Sequence, residues 1–190
     1  MTTAPDTPRA TPTGHGTPST PATPTAPERP EPPMAGDERA QLTGFLDFLR
    51  ASVLWKCSGL TDEQARRSHV PSELTTIAGL LGHLALVEDY WFSVVLDGQP
   101  DRWAEALERD RDAEFRVALE TPIDRLLADY RAETDRSRAV VTARGFDDTV
   151  QYQGDPLTVR WVVTHMIEET ARHLGHFDLL RELTDGLTGE

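Results

Sequence analysis

Residues 165–176 read HMIEETARHLGH. The run contains no proline and no alternation of strand type, so its composition favours a helix. On such a helix His165, Glu169, His173 and His176 follow one another at steps of four, four and three, which puts their side chains on one stripe. Followed outward, the stripe turns apolar, through Val162 on one side and Leu180 and Leu183 on the other. Its ends call for a core, and its middle calls for a partner to its charge. The pattern predicts a long helix from about Thr158 to Leu183, with Thr158 as N-cap and Gly186 as the stop beyond the last turn.

Three more long helical patterns precede it. The first runs from about Asp37 to Lys56 with Leu42, Phe45, Leu46, Leu49, Val53 and Leu54 as its apolar face. The second begins near Leu74 and ends near Gly98; its stripe of Leu80, His83, Leu84, Val87, Trp91 and Val94 has one polar member, His83. The third starts after Thr121, with Pro122 in its first turn, and stops near Gly145, with Ile123, Leu126, Leu127, Tyr130, Thr134 and Val141 facing inward. A short helix is expected in LTDEQARR, where Thr61 and Gln64 have the spacing of a capping box. RWAEALERD reads as partly helical, and FDDTVQYQGDPLT holds a short extended piece at Thr149 to Tyr152. Four long amphipathic helices without strand alternation predict an all-α fold, a four-helix bundle.

The chain has 190 residues, and the first 36 differ from the rest: they hold 10 of its 14 prolines, many threonines and no aromatic residue. Such a segment cannot bury enough apolar surface to offset the entropy of ordering, so residues 1–36 are expected to be a disordered extension and residues 37–190 the folded domain. The formal net charge of -13 and the lack of a Lys/Arg stripe argue against nucleic acid as a partner. No run reads as a bilayer-crossing span or a secretory leader, so no membrane partner is expected. The single cysteine, Cys57, excludes an intrachain disulfide and a multi-cysteine zinc knuckle, leaving the cytoplasm as the expected compartment.

A carboxylate and imidazoles buried in one seam are costly unless hydrogen-bonded, ion-paired or bound to metal. A metal-free polar layer, or a stripe turned to solvent, answers the same pattern. However, Glu169 and His173 are one turn apart, and His83 can approach from across the bundle; two histidines and one carboxylate form a three-ligand set for a divalent metal that leaves positions for water or substrate. His165 and His176 are then candidates for a fourth ligand, a supporting donor or a proton acceptor.

Four stretches carry a resemblance: WKCSGLTDEQARR at 55–67, VPSELT at 70–75, GHLALVEDYWF at 82–92 and HMIEETARHLGHFDLLRELTDG at 165–186. They resemble the DinB/YfiT-like superfamily, in particular its DUF664 branch, across essentially the whole folded domain. The resemblance implies a bundle holding a divalent metal through one residue of the second long helix and two residues four apart on the fourth. Those positions fall on His83, Glu169 and His173. Many relatives have three histidines, whereas a mycothiol-dependent isomerase of the superfamily has the His, Glu, His set found here. His176 stands where many relatives carry glutamine.

What the resemblance implies for activity is a metal-dependent thiol S-transferase or isomerase using a low-molecular-weight thiol such as mycothiol and a small-molecule electrophile. Zinc is the first expectation for the metal, with nickel or iron as alternatives, and His165 and His176 are the catalytic candidates. A metal-dependent hydrolase and a non-catalytic metal-binding stress-response bundle are the competing readings. A homodimer is expected from the resemblance, with little support from the residues themselves. Arg50, Lys56 and Arg160 are candidates for recognising a carboxylate of the thiol; Glu88 either pairs across the bundle or faces water; Glu168 and Arg172 read as a solvent-facing i,i+4 pair, and Cys57 as an inert thiol.

Overall fold

The Asp37 carboxylate accepts a hydrogen bond from the Ala40 amide at 2.8 Å and starts helix α1, Glu38–Cys57. The computed structural model describes residues 28–189. Of the expected extension, residues 1–27 lie outside the described residues. Residues 28–36 lie against α1: the Arg29 guanidinium sits 4.4 Å from the Trp55 ring, and Gln41 donates to the Met34 carbonyl at 3.2 Å.

Capping chemistry sets most of the remaining boundaries. Thr61 and Gln64 close the expected capping box on α2, Asp62–Arg66, and the Asp62 carboxylate receives the Ile123 amide at 2.8 Å at the start of α6, Ile123–Thr142. Pro122 stands just ahead of α6 and not inside its first turn. Between them lie α3, Ile77–Glu88, capped by Thr76, and two short helices, α4, Ala104–Arg109, and α5, Ala113–Glu120. Thr158 caps α7, Val159–Asp185, which ends at Gly186 with φ 78°, the left-handed region that glycine enters without penalty. The bundle consists of α1, α3, α6 and α7: α1 packs on α7, α3 on α6, and α5 lies across α3. The all-α bundle expected from the sequence is the fold.

Strands β1, Thr149–Tyr152, and β2, Asp155–Thr158, form an antiparallel hairpin where one extended piece was expected. Gln153 and Gly154 turn the chain with φ of 53° and 97°, the pair of positive values that matches the twist of a two-residue hairpin.

Helix α3 does not end at Glu88. It continues as a wider π-helical segment, Asp89–Leu96. With about 4.4 residues per turn in place of 3.6, the inward face shifts, so Phe92 and Leu96 are buried where continuing the α-helical stripe pointed to Trp91 and Val94, which are only partly buried. The 20-residue run Ile77–Leu96 is long and apolar enough to cross a bilayer by composition, contrary to the sequence expectation. Here it is the central helix of the bundle, and burial against α5, α6 and α7 accounts for its apolarity.

The α1 seam runs through Leu46, Arg50, Val53 and Cys57, which leaves Phe45 on the flank and 49% exposed. Arg50 is fully inside. Its Nε and Nη2 donate to the two oxygens of Glu88 at 2.7 and 2.6 Å, and Ser137 donates to the same carboxylate at 2.7 Å. Glu88 therefore pairs across the bundle, and Arg50 has no freedom to recognise a ligand. Lys56 is likewise buried against Asp178 at 2.6 Å, while Arg160 is held by Glu38 and Asp147. Cys57 is buried and burial raises its pKa, as expected of an inert thiol.

Candidate metal centre

The buried seam of α7 runs through Val159, Val162, Val163, Met166, Thr170, Phe177 and Leu180. His165, Glu169, His173 and His176 each stand about one residue to the side of that seam. The stripe therefore lies along the margin of the core, and Leu183, expected to face inward, is 58% exposed. Val162 and Leu180 are buried as expected. This rotation leaves His165, Glu169 and His173 only partly buried and His176 exposed, and avoids the cost of a fully buried charged seam.

Three of the expected residues meet. The Glu169 Oε1 atom lies 3.1 Å from His173 Nε2 and 3.4 Å from His83 Nε2. The three candidate ligand atoms all lie within 4.8 Å of one another, among residues whose side chains are 14 to 20% exposed. Hydrogen bonding from His173, then from His83, holds the Glu169 carboxyl far below its ordinary range despite burial. At His83 burial pushes the pKa down, but hydrogen bonds to Glu169 and Glu114 outweigh it and the net shift is upward. A carboxylate kept ionised between two imidazoles is a donor set of the kind that binds a divalent cation, and three donors leave coordination positions open.

The outward nitrogens of both imidazoles are also engaged. His83 Nδ1 is 3.2 Å from Glu114 Oε1, and His173 Nδ1 is 3.4 Å from Nδ1 of the exposed His176. Phe115 stacks on the His83 ring at 5.0 Å and 13°. Such contacts on the far side of a ligating histidine fix its ring and tautomer.

Glu114 is 6% exposed, and its second oxygen is buried without a hydrogen-bond partner. It reaches His83 because α5 lies very close to α3: a Cβ placed on Gly82 would stand 2.6 Å from the Ala118 Cβ, and one on Gly79 3.1 Å from the Phe115 ring. Sequence reading missed Glu114, since α5 fell in a connection whose path was not read. The available signal was Phe115 and Ala118 at helical spacing, facing the small stripe of Gly79 and Gly82.

His165 stands apart from the trio. Its ring stacks on Trp161 at 5.0 Å and meets Trp91 edge-on at 4.9 Å, with Nδ1 3.8 Å from Glu168. Glu168 and Arg172 form the expected exposed pair. A cavity of about 670 Å³ opens between α3, α4, α5 and α6, lined by Gly82 and Glu114 but by none of the trio. Its cations are committed: Arg102 to Asp89 and Glu133, Arg136 to Glu133, Arg125 to Asp129. Among the described residues, the trio is the group of histidine and carboxylate donors whose ligand atoms converge.

The family model described as Mycothiol-S-transferase matches residues 41–186. No curated protein sequence matches the chain.

Proposed function

The chain belongs to the mycothiol-S-transferase family, and on that footing we propose that it moves the sulfur of a low-molecular-weight thiol, mycothiol or a close analogue, onto a small electrophile, with His83, Glu169 and His173 holding a divalent metal, zinc first. The observation that carries the reading is the convergence of those three donor atoms within 4.8 Å among side chains that are 14 to 20% exposed. When bound, the ion supplies a Lewis acid that lowers the pKa of the thiol and favours its thiolate.

The remaining chemistry belongs to the protein and the substrates. Glu169, held ionised by two imidazoles, is committed to the centre and is not free as a general base. His176 is exposed behind His173, where its contact with His173 Nδ1 orients that ring, and the thiol proton leaves to solvent. A sulfur lone pair then forms the new bond to the electrophilic carbon, and the bond from that carbon to its leaving group breaks, the pair departing with the leaving group. Glu114 and Phe115 keep the His83 ring in place throughout.

The test is turnover of a panel of electrophiles with mycothiol, cysteine and glutathione, before and after chelation. Activity is expected with mycothiol, lost on metal removal and recovered on its return. Full turnover by verified metal-free protein refutes the metal's role, and hydrolysis without any thiol transfer moves the activity to a hydrolase.

A further inference from the structure

One helical turn from Glu169 toward the start of α7, the stripe becomes aromatic. His165 lies on Trp161, and Trp91 touches both, at 4.9 Å from the His165 ring and 5.4 Å from Trp161. Tyr152 of the hairpin backs Trp91 at 5.3 Å. Rings from the π-helical segment, β1 and α7 thus cluster one helical turn along α7 from Glu169, inclined to one another by 47–70° except where His165 lies at 22° on Trp161. Trp91 is available for this cluster because the wider winding of Asp89–Leu96 buries Phe92 instead and leaves Trp91 on the flank.

Packing alone explains why Tyr152 and Trp91 meet, since the hairpin must be seated on something. It does not explain Trp161, which keeps 48% of its surface exposed although a tryptophan gains greatly from burial. The one hydroxyl of the cluster is already in use. The Tyr152 hydroxyl lies 3.3 Å from that of Tyr90, and His165 Nδ1 faces Glu168. What remains on offer is the exposed part of the Trp161 ring, with His165 stacked on it at 22° and Trp91 inclined to it at 53°. A planar aromatic ring gains offset stacking and buried area on such a face.

We propose that Trp161, Trp91 and His165 form the binding surface for a planar aromatic group on the electrophile that the thiol attacks. The proposal rests on the transferase reading for the identity of the ligand, and on the ring geometry for its place. It makes His165 a recognition residue.

The experiment uses the full chain and an unreactive probe, 4-nitrobenzyl alcohol, titrated by calorimetry. One saturable site is expected; Trp161→Ala weakens it roughly three- to tenfold, the loss of one aromatic stack, and Trp161→Phe retains it. In turnover with mycothiol, the ratio of kcat/KM for 4-nitrobenzyl chloride to that for iodoacetamide is expected to fall by a similar factor in Trp161→Ala, through KM. Absence of saturable binding, or binding indifferent to Trp161→Ala, overturns the proposal. A Trp161-dependent change in molecular mass by light scattering overturns it as well, because a second copy of the chain then covers the cluster. If the alcohol binds through Trp161 but neither halide is turned over, the aromatic site stands and the transferase reading fails. If both halides react with a ratio insensitive to Trp161, the transferase stands and the aromatic site fails.

Discussion

Replacing Gly82 by alanine puts a methyl group where α5 already is. The new Cβ would lie 2.6 Å from the Ala118 Cβ, whereas apolar carbons rest at about 3.5–4.0 Å. Ala118 is 1% exposed and has no flexible end to swing aside, so relief must come from α5 backing away by roughly 1 Å. Overpacking of this kind costs about 1–3 kcal/mol, offset by about 1 kcal/mol of helix propensity gained on replacing glycine, so the net fall in Tm is at most roughly 8 °C for a domain of this size. Because Glu114 and Phe115 ride on α5, the same displacement loosens His83. Loss of a partner behind a metal-binding histidine typically weakens metal binding about 10- to 100-fold. The assay is thermal unfolding of metal-free protein together with zinc affinity by competition, on Gly82→Ala, Ala118→Gly and the double variant. Ala118→Gly alone costs about 1 kcal/mol in helix propensity but removes the clashing methyl, so the double variant is expected to be more stable than the sum of the two losses and to regain zinc affinity. Strict additivity of the two stability changes, or unchanged zinc affinity in Gly82→Ala, refutes the close-packing account of how Glu114 reaches His83.

His83→Ala and His173→Ala are expected to lose stoichiometric metal while keeping the helical circular dichroism, because both side chains sit at the margin of the core; metal content by mass spectrometry checks this, and full retention by either variant removes that residue from the ligand set. The pH dependence has a definite sign. The folded pKa of His83 is raised above 6.5, so its contacts contribute stability that is complete below about pH 6.5 and lost as pH rises through the folded value; Glu169, depressed, contributes above about pH 4.3 and loses its contribution only on stronger acidification. The Tm advantage of metal-free wild type over His83→Ala should therefore shrink between pH 6 and 8.5, while zinc affinity rises over the same range as the competing proton leaves; an advantage that grows with pH contradicts the assignment. Finally, Arg50→Met strands the buried Glu88 carboxylate and is expected to cost about 3–5 kcal/mol, read by urea unfolding, with Arg50→Met/Glu88→Leu recovering much of the loss.

Helix positions and ends were legible where the signal is local. Thr61 with Gln64 and Thr158 with Gly186 act over a few residues, and the structure uses them as read. The meeting of Glu169 with His173 follows from helical spacing in the same way. Periodicity cannot show which polar residues a core accepts, because it scores every polar side chain as outward. Arg50, Glu88 and Ser137 are inside because they satisfy one another across three helices. Glu114 was hidden for a related reason: its partner His83 is 31 residues away, and their contact depends on how closely two glycines let α5 approach. The shift of the α3 face beyond Glu88 depends on a change of helical winding, which an α-helical template does not contain.

Because the histidines and Glu169 ride on the shoulder of α7 and not in its seam, residues that hold the bundle together are largely separate from those of the polar stripe. Substitution at positions 165, 169, 173 or 176 leaves Val162, Met166, Phe177 and Leu180 interlocked. A scaffold divided in this way tolerates exchange of donor atoms, or their complete loss, without having to be refolded. It can diversify in chemistry far faster than in shape.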